Sequence, residues 1–131
     1  MESKSSDPIL NEKLLLTLHS ISETIDDLIK WNKNVESADD YYFSTAGMQL
    51  LAANCTLITA IGEGVKRINW FAPDFLTSNF PEIPWIDIIG MRNHIAHGYF
   101  ELDADIVLDT VKNGVPTLKS AILKAIEICD K

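Results

Sequence analysis

The chain has 131 residues, enough for one domain, and 47% of them are hydrophobic, enough to fill a core. Its formal net charge of −8 argues against a generic nucleic-acid binder, because affinity for phosphate comes chiefly from lysine and arginine; it leaves room for a local basic patch or a basic partner protein. No apolar run reaches the roughly 20 residues of a membrane-spanning helix, so no membrane association is expected, and residues 1–8 lack the apolar stretch of a signal peptide and read as a flexible N-terminal tail.

Residues 9–131 read as a single helical domain. A first helix is expected from about Ile9 to Lys33, because Leu14, Leu18, Ile21, Ile25 and Leu28 recur at alternating four- and three-residue steps. Asn34 to Ala38 reads as a turn, with Ser37 or Asp39 as the next cap. A second helix follows from about Asp40 to Trp70, with Phe43, Leu50, Leu57, Ile61, Val65 and Ile68 as its apolar stripe. Gly62 and Gly64 flank Glu63 inside it; each glycine costs about 1 kcal/mol against alanine, which points to close helix packing or a bend there. Cys55 and Cys129 lie in apolar helical patterns, outside any Cys-x-x-Cys or Cys/His ligand spacing, and read as buried reduced thiols, which suits the cytoplasm. Phe71 to Ile83 is a linker pinned by Phe71, Phe75 and Phe80. A third helix begins at Pro84 and stops at Gly98. The region from about Asp103 to Cys129 is helical, with a break at Asn113-Gly114 and Pro116 and with Leu118, Ile122, Ala125 and Ile126 facing inward. With no alternating strand pattern, the class is all-α: an up-and-down antiparallel helical bundle of four to five helices.

The third helix holds the chain's concentration of reactive groups, Arg92-Asn93-His94-Ile95-Ala96-His97-Gly98-Tyr99. At about 100° per residue, Arg92 falls within the arc of Trp85, Ile88, Ile89 and Ile95, where an unpaired charge would cost several kcal/mol. It either pairs with a carboxylate on a neighbouring helix, with Glu63, Asp39 and Asp40 as candidates, or lines a cleft that takes phosphate. Asn93 and His97 share a face with Gly90, a position that lets another backbone or a phosphate approach closely. His97 lies in the last turn, where the helix dipole favours the imidazolium; it is either a terminal cap or a proton carrier near neutral pH. His94 lies on the opposite side near Asp87, and a metal site with His97 finds no supporting Glu-x-x-His on a partner helix, so no metal is expected. Tyr99 either packs on the bundle end or presents its phenol for contact or modification.

Arg92-x4-His97-x-Tyr99, with Asn93 after the arginine, resembles the signature of the HepT-like family, within the HEPN superfamily of helical ribonucleases and nucleotide-binding modules. The likeness extends to Pro84-Trp85, to Ile88-Ile89-Gly90-Met91, to Gly98-Tyr99-Phe100 before Ile106-Val107, and to Ile61-Gly62-Glu63, and it covers most of the chain from about residue 10. The resemblance implies a homodimeric endoribonuclease toxin of a toxin–antitoxin pair, with two motifs meeting in one cleft. It implies metal-independent catalysis with no cofactor, Arg92 and His97 as the catalytic pair, and Asn93 as a polar supporter. It also implies a nucleotidyltransferase antitoxin that attaches AMP to Tyr99. The substrate is expected to be tRNA or mRNA, and Glu63 is expected to support the site by pairing with Arg92. His94, a second imidazole inside the motif, departs from the pattern and is a second candidate for the role of His97. Two other readings compete. One is a non-catalytic HEPN module that presents nucleotide or substrate to a partner nucleotidyltransferase. The other is a plain helical interaction protein whose Arg92 is structural. The intact Arg92/His97 pair favours the ribonuclease; the acidic charge leans toward the other two.

Overall fold

The structure, a computed structural model, describes residues 7–97 and 103–130; of Arg92, Asn93, His94, Ala96 and His97 it describes the helical backbone alone. The expected stop at Gly98 and the expected role of Tyr99 fall outside the described residues. Helix α1 (Pro8–Trp31) opens on Asp7, whose carboxylate accepts the Ile9 N–H at 2.9 Å, with Pro8 at the first turn where its missing N–H is harmless. The helix buries the expected stripe of Leu14, Leu18, Ile21, Ile25 and Leu28. A 3-10 turn (Ala38–Tyr41) leads to α2 (Thr45–Phe71); the short α3 (Phe75–Asn79) precedes α4 (Trp85–His97). Helix α5 (Ala104–Asp109) passes through a π-helical turn (Thr110–Gly114) into α6 (Val115–Asp130). Counting that last rod once gives five helices, and there is no strand among the described residues. Helix α2 is the centre of the bundle, with α1 and α4 packed on it, and α6 closes the core against α1.

Four expectations shift. Helix α2 starts at Thr45 instead of Asp40, because Asp40 is occupied in the turn before it. Its carboxylate accepts the N–H groups of Glu36 (2.8 Å) and Ser37 (3.2 Å), which also lowers its pKa. Ser44 is the true cap, accepting from the Gly47 N–H at 2.9 Å. Phe43 therefore lies outside the helix and is exposed, and the buried stripe runs through Leu51, Cys55, Ile58, Ile61, Val65 and Ile68, one residue on from the predicted Leu50 and Leu57. The linker contains α3, because Phe75, Leu76 and Phe80 are all drawn into the core. The break near Asn113-Gly114 is a π-turn inside a continuous rod: Pro116 has no N–H for the Lys112 carbonyl, and the Val115 N–H reaches back to the Thr110 carbonyl. Helix α2, finally, is long and apolar enough to cross a membrane, contrary to the expectation from apolar runs; its buried face is the one that packs within the bundle.

A buried polar cluster ties these elements together. Asn32 and Asn54, both fully buried, exchange amide hydrogen bonds: Asn32 Nδ2 donates to Asn54 Oδ1 at 2.8 Å and Asn54 Nδ2 donates to Asn32 Oδ1 at 2.9 Å. The Tyr41 hydroxyl donates to Asn32 Oδ1 (2.8 Å) and accepts from Asn54 Nδ2 (3.0 Å). Burial pushes the Tyr41 phenol above its usual pKa, against the lowering effect of the Asn54 bond. Lys112 Nζ then donates to the Asn32 carbonyl at 2.8 Å, so the π-turn is fastened to the end of α1. Both cysteines are buried and neither is in a disulfide, and burial raises the Cys55 thiol.

Candidate active site

Helix α4 carries the motif, and its position is set at its first two turns. Trp85 is buried and its indole N–H donates to the Phe80 carbonyl at 2.9 Å, which fixes the start of the helix to the end of the linker. One turn on, α4 meets α2 at Gly62. A Cβ on Gly62 would lie 3.0 Å from the Ile88 carbonyl oxygen and 3.6 Å from that of Ile89. Gly64, two residues away, faces the other side of α2, where a Cβ would meet the Ile21 side chain at 2.9 Å. The glycines around Glu63 thus serve close packing, on α4 and on α1 respectively.

Gly62→Val is expected to push α4 away from α2. The overpacking should cost about 1–3 kcal/mol of stability. Activity should fall further than the folded fraction does, since a displacement of about 1 Å can cost a catalytic site roughly 100-fold. Gly64→Ala is the comparison: its neighbour is a side chain that can turn aside. Urea midpoints and RNA cleavage of the two variants, measured side by side, check this; equal activity in both would contradict it.

The helical register places the Arg92 position on the Trp85 side of α4, between partly buried Ile88 and Ile89 and buried Ile95. The positions of Asn93 and His97 share the face of Gly90. A Cβ on Gly90 would find nothing within 4 Å among the described residues, so at that point the helix packs against none of them. Glu63 is exposed on α2, one residue past the contact with Ile88. Of the other carboxylates considered for Arg92, Asp39 is exposed and Asp40 is committed to the turn before α2. His19 is exposed on α1.

The model of the family described as "Ribonuclease HepT-like" matches residues 45–125, from the start of α2 into α6, across the whole motif. The chain belongs to the HepT-like ribonuclease family. Among relatives of this HepT-like protein, Putative RNase MJ1216 of Methanocaldococcus jannaschii is 31% identical over 110 residues, covering 84% of each chain. Putative RNase MJ1380 of the same organism is 30% identical over 105 residues, 80% of this chain and 89% of its own. The Probable ribonuclease HepT of Thermococcus cleftensis is 38% identical over 64 residues, 49% of this chain and 54% of its own. No solved structure matches the chain.

Two features escaped the sequence reading. The Asn32–Tyr41–Asn54 cluster was foreshadowed only by Asn54 occupying a position of the apolar stripe. The other is the exposed Trp70 beside Lys66 and Arg67, which the apolar pattern passed over because it belongs to the outer face of α2.

Proposed function

We propose that this HepT-like protein is the toxin of a toxin–antitoxin pair, a metal-independent endoribonuclease acting as a cytoplasmic homodimer on tRNA or mRNA. In this reading the 2′-hydroxyl of the substrate loses its proton to an imidazole and attacks the adjacent phosphorus. The bond to the 5′-oxygen breaks, and a protonated imidazole supplies the proton that the leaving oxygen needs. His97 is the proton carrier, and Arg92 stabilises the charge on the phosphorane by two-pronged contact. Asn93 orients His97 or the substrate from the same helical face, and Glu63 holds Arg92. Two motifs across a dimer axis supply one base and one acid. The products are a 2′,3′-cyclic phosphate and a 5′-hydroxyl, and DNA, lacking the nucleophile, is inert.

The observation that carries the reading is the placement of the whole Arg92-x4-His97 segment, in a chain of a ribonuclease family, on a helix where a Cβ at Gly90 would meet none of the other described residues. A second copy or an RNA backbone can come close there. A partner nucleotidyltransferase would silence the enzyme by attaching AMP to Tyr99, which brings bulk and negative charge to a cleft that must accept a polyanion.

The test has two parts. RNA should be cut in EDTA to cyclic-phosphate ends while DNA of the same sequence survives. After co-expression with a candidate nucleotidyltransferase, the intact mass should rise by AMP units, lost in Tyr99→Phe, and cleavage should fall in step. RNA left whole by the unmodified protein would refute the nuclease reading, and an unchanged mass would refute the silencing.

A further inference from the structure

The outer face of α2 carries a second group of side chains, apart from the α4 motif. Lys66, Arg67 and Trp70 stand at i, i+1 and i+4, so both cations neighbour the indole along the helix. Trp70 is 84% exposed. Arg67 and Arg92 are the only arginines in the chain. The three side chains border a groove of about 680 Å³ between α1 and α2, lined also by Leu16, Ile21 and Phe71. Lys13 stands over the Phe71 ring, 5.8 Å from its centre, and adds a third cation. Among the described residues Lys66 and Arg67 make no ion pair, unlike Lys119, which pairs with Asp26.

Charge decides what this face fits. The chain has 19 acidic residues against 11 lysines and arginines, yet the groove is lined by one carboxylate, Glu63, alongside Lys66 and Arg67. A local excess of cations with an exposed indole between them matches a single nucleic-acid strand. Bases of any kind stack on an aromatic face, and the cations track the phosphates. A second copy of this chain would bring a net charge of −8 but no particular complement to an indole flanked by cations.

The spacing suits a substrate already held at α4. The chain returns along α2 with Ile88 opposite Gly62. Arg67 lies five residues beyond Gly62 in one direction and the Arg92 backbone four beyond Ile88 in the other. At about 1.5 Å per residue the two levels are about 13 Å apart along the bundle, roughly four stacked nucleotides at about 3.4 Å each. We propose that Lys66, Arg67 and Trp70 form a strand-binding track for the single-stranded RNA flanking the scissile bond, with a base stacked on Trp70 and neighbouring phosphates held by the two cations. The track rests on the ribonuclease reading for its substrate, but its binding is separable from cleavage.

The experiment uses the whole protein and a labelled single-stranded deoxyoligonucleotide, which has no 2′-hydroxyl and cannot be cut. Trp70→Ala should weaken its binding by roughly 5- to 150-fold, and Trp70→Phe should retain most of it. Lys66→Gln with Arg67→Gln should flatten the dependence of log affinity on log salt by about 0.7 for each phosphate released. Cleavage of a ribodinucleotide, too short to reach the track, should be unaffected by Trp70→Ala, whereas KM for a long RNA should rise. Unaltered strand binding in Trp70→Ala and in the double variant would overturn the track. So would a wild-type protein that cuts the dinucleotide but does not bind the strand. A Trp70→Ala protein that turns from dimer to monomer by native mass would assign the face to contact between copies instead. A wild-type protein that binds the strand through Trp70 yet cuts no RNA would support the track and remove the nuclease reading alone.

Discussion

His97→Ala is expected to slow RNA cleavage by about 10²–10⁴-fold, the range of a lost general acid or base, while the helical content stays that of the parent. The buried side chains that hold α4, Trp85 and Ile95, are untouched by the substitution. His94→Ala, at a position on the far side of the helix from Arg92, should have a far smaller effect; a reversal of the two would give His94 the proton-carrying role. Arg92→Lys keeps the charge but loses the planar fork, and should fall well below the parent in kcat. If two motifs share one cleft, one imidazole as base and its twin as acid, a mixed dimer with a single His97 is inactive. Activity in a fully exchanged mixture of parent and His97→Ala should then follow the square of the parent fraction. A linear dependence would show that each protomer works alone and would undo the shared cleft.

The largest effect on stability is expected at Asn54→Leu, about 2–4 kcal/mol. The substitution is close in volume but removes three hydrogen bonds from a site with no water access: two donated by Nδ2, to Asn32 and Tyr41, and one accepted by Oδ1. Asn32 keeps its bond to the Leu28 carbonyl and to the Tyr41 hydroxyl, which limits the damage, but each group left short of a partner costs about 1–3 kcal/mol in a buried setting. Tyr41→Phe should cost less, because the reciprocal amide pair survives it. Urea denaturation with matched slopes gives both values. An Asn54→Leu protein as stable as its parent would mean that the amide pair adds nothing to the joining of α1 and α2.

The stripes of α1 and α6 were legible because their apolar residues repeat without interruption, and Leu118, Ile122, Ala125 and Ile126 all turn inward as expected. The α4 motif and the close packing of Gly62 and Gly64 were legible because unusual residue types stand where ordinary helix formers would serve. The start of α2 was not, because two seven-residue spacings compete there: Phe43-Leu50-Leu57 and Leu51-Ile58-Val65. What decides between them is Asn54, a polar residue that joins the buried side only because Asn32 and Tyr41 come to meet it from elsewhere in the chain. A single-helix pattern holds no trace of such partners. The helix α3 escaped for a similar reason, since five residues are too few to show a period and its burial depends on the core it closes.

The pairing of α6 with α1 has a consequence for how the protein comes into being. The side of α1 that α6 closes, from Asn11 beside Cys129 to Asp26 beside Lys119, stays uncovered until α6 has been made, a hundred or so residues later on the ribosome. At roughly 5–20 residues per second, α1 waits on the order of 5 to 20 s with that side open. The same delay postpones the latch between Lys112 and Asn32. The bundle therefore closes late: α1 and α2 leave the ribosome as an open pair, and the core is sealed only when α6 folds back onto α1.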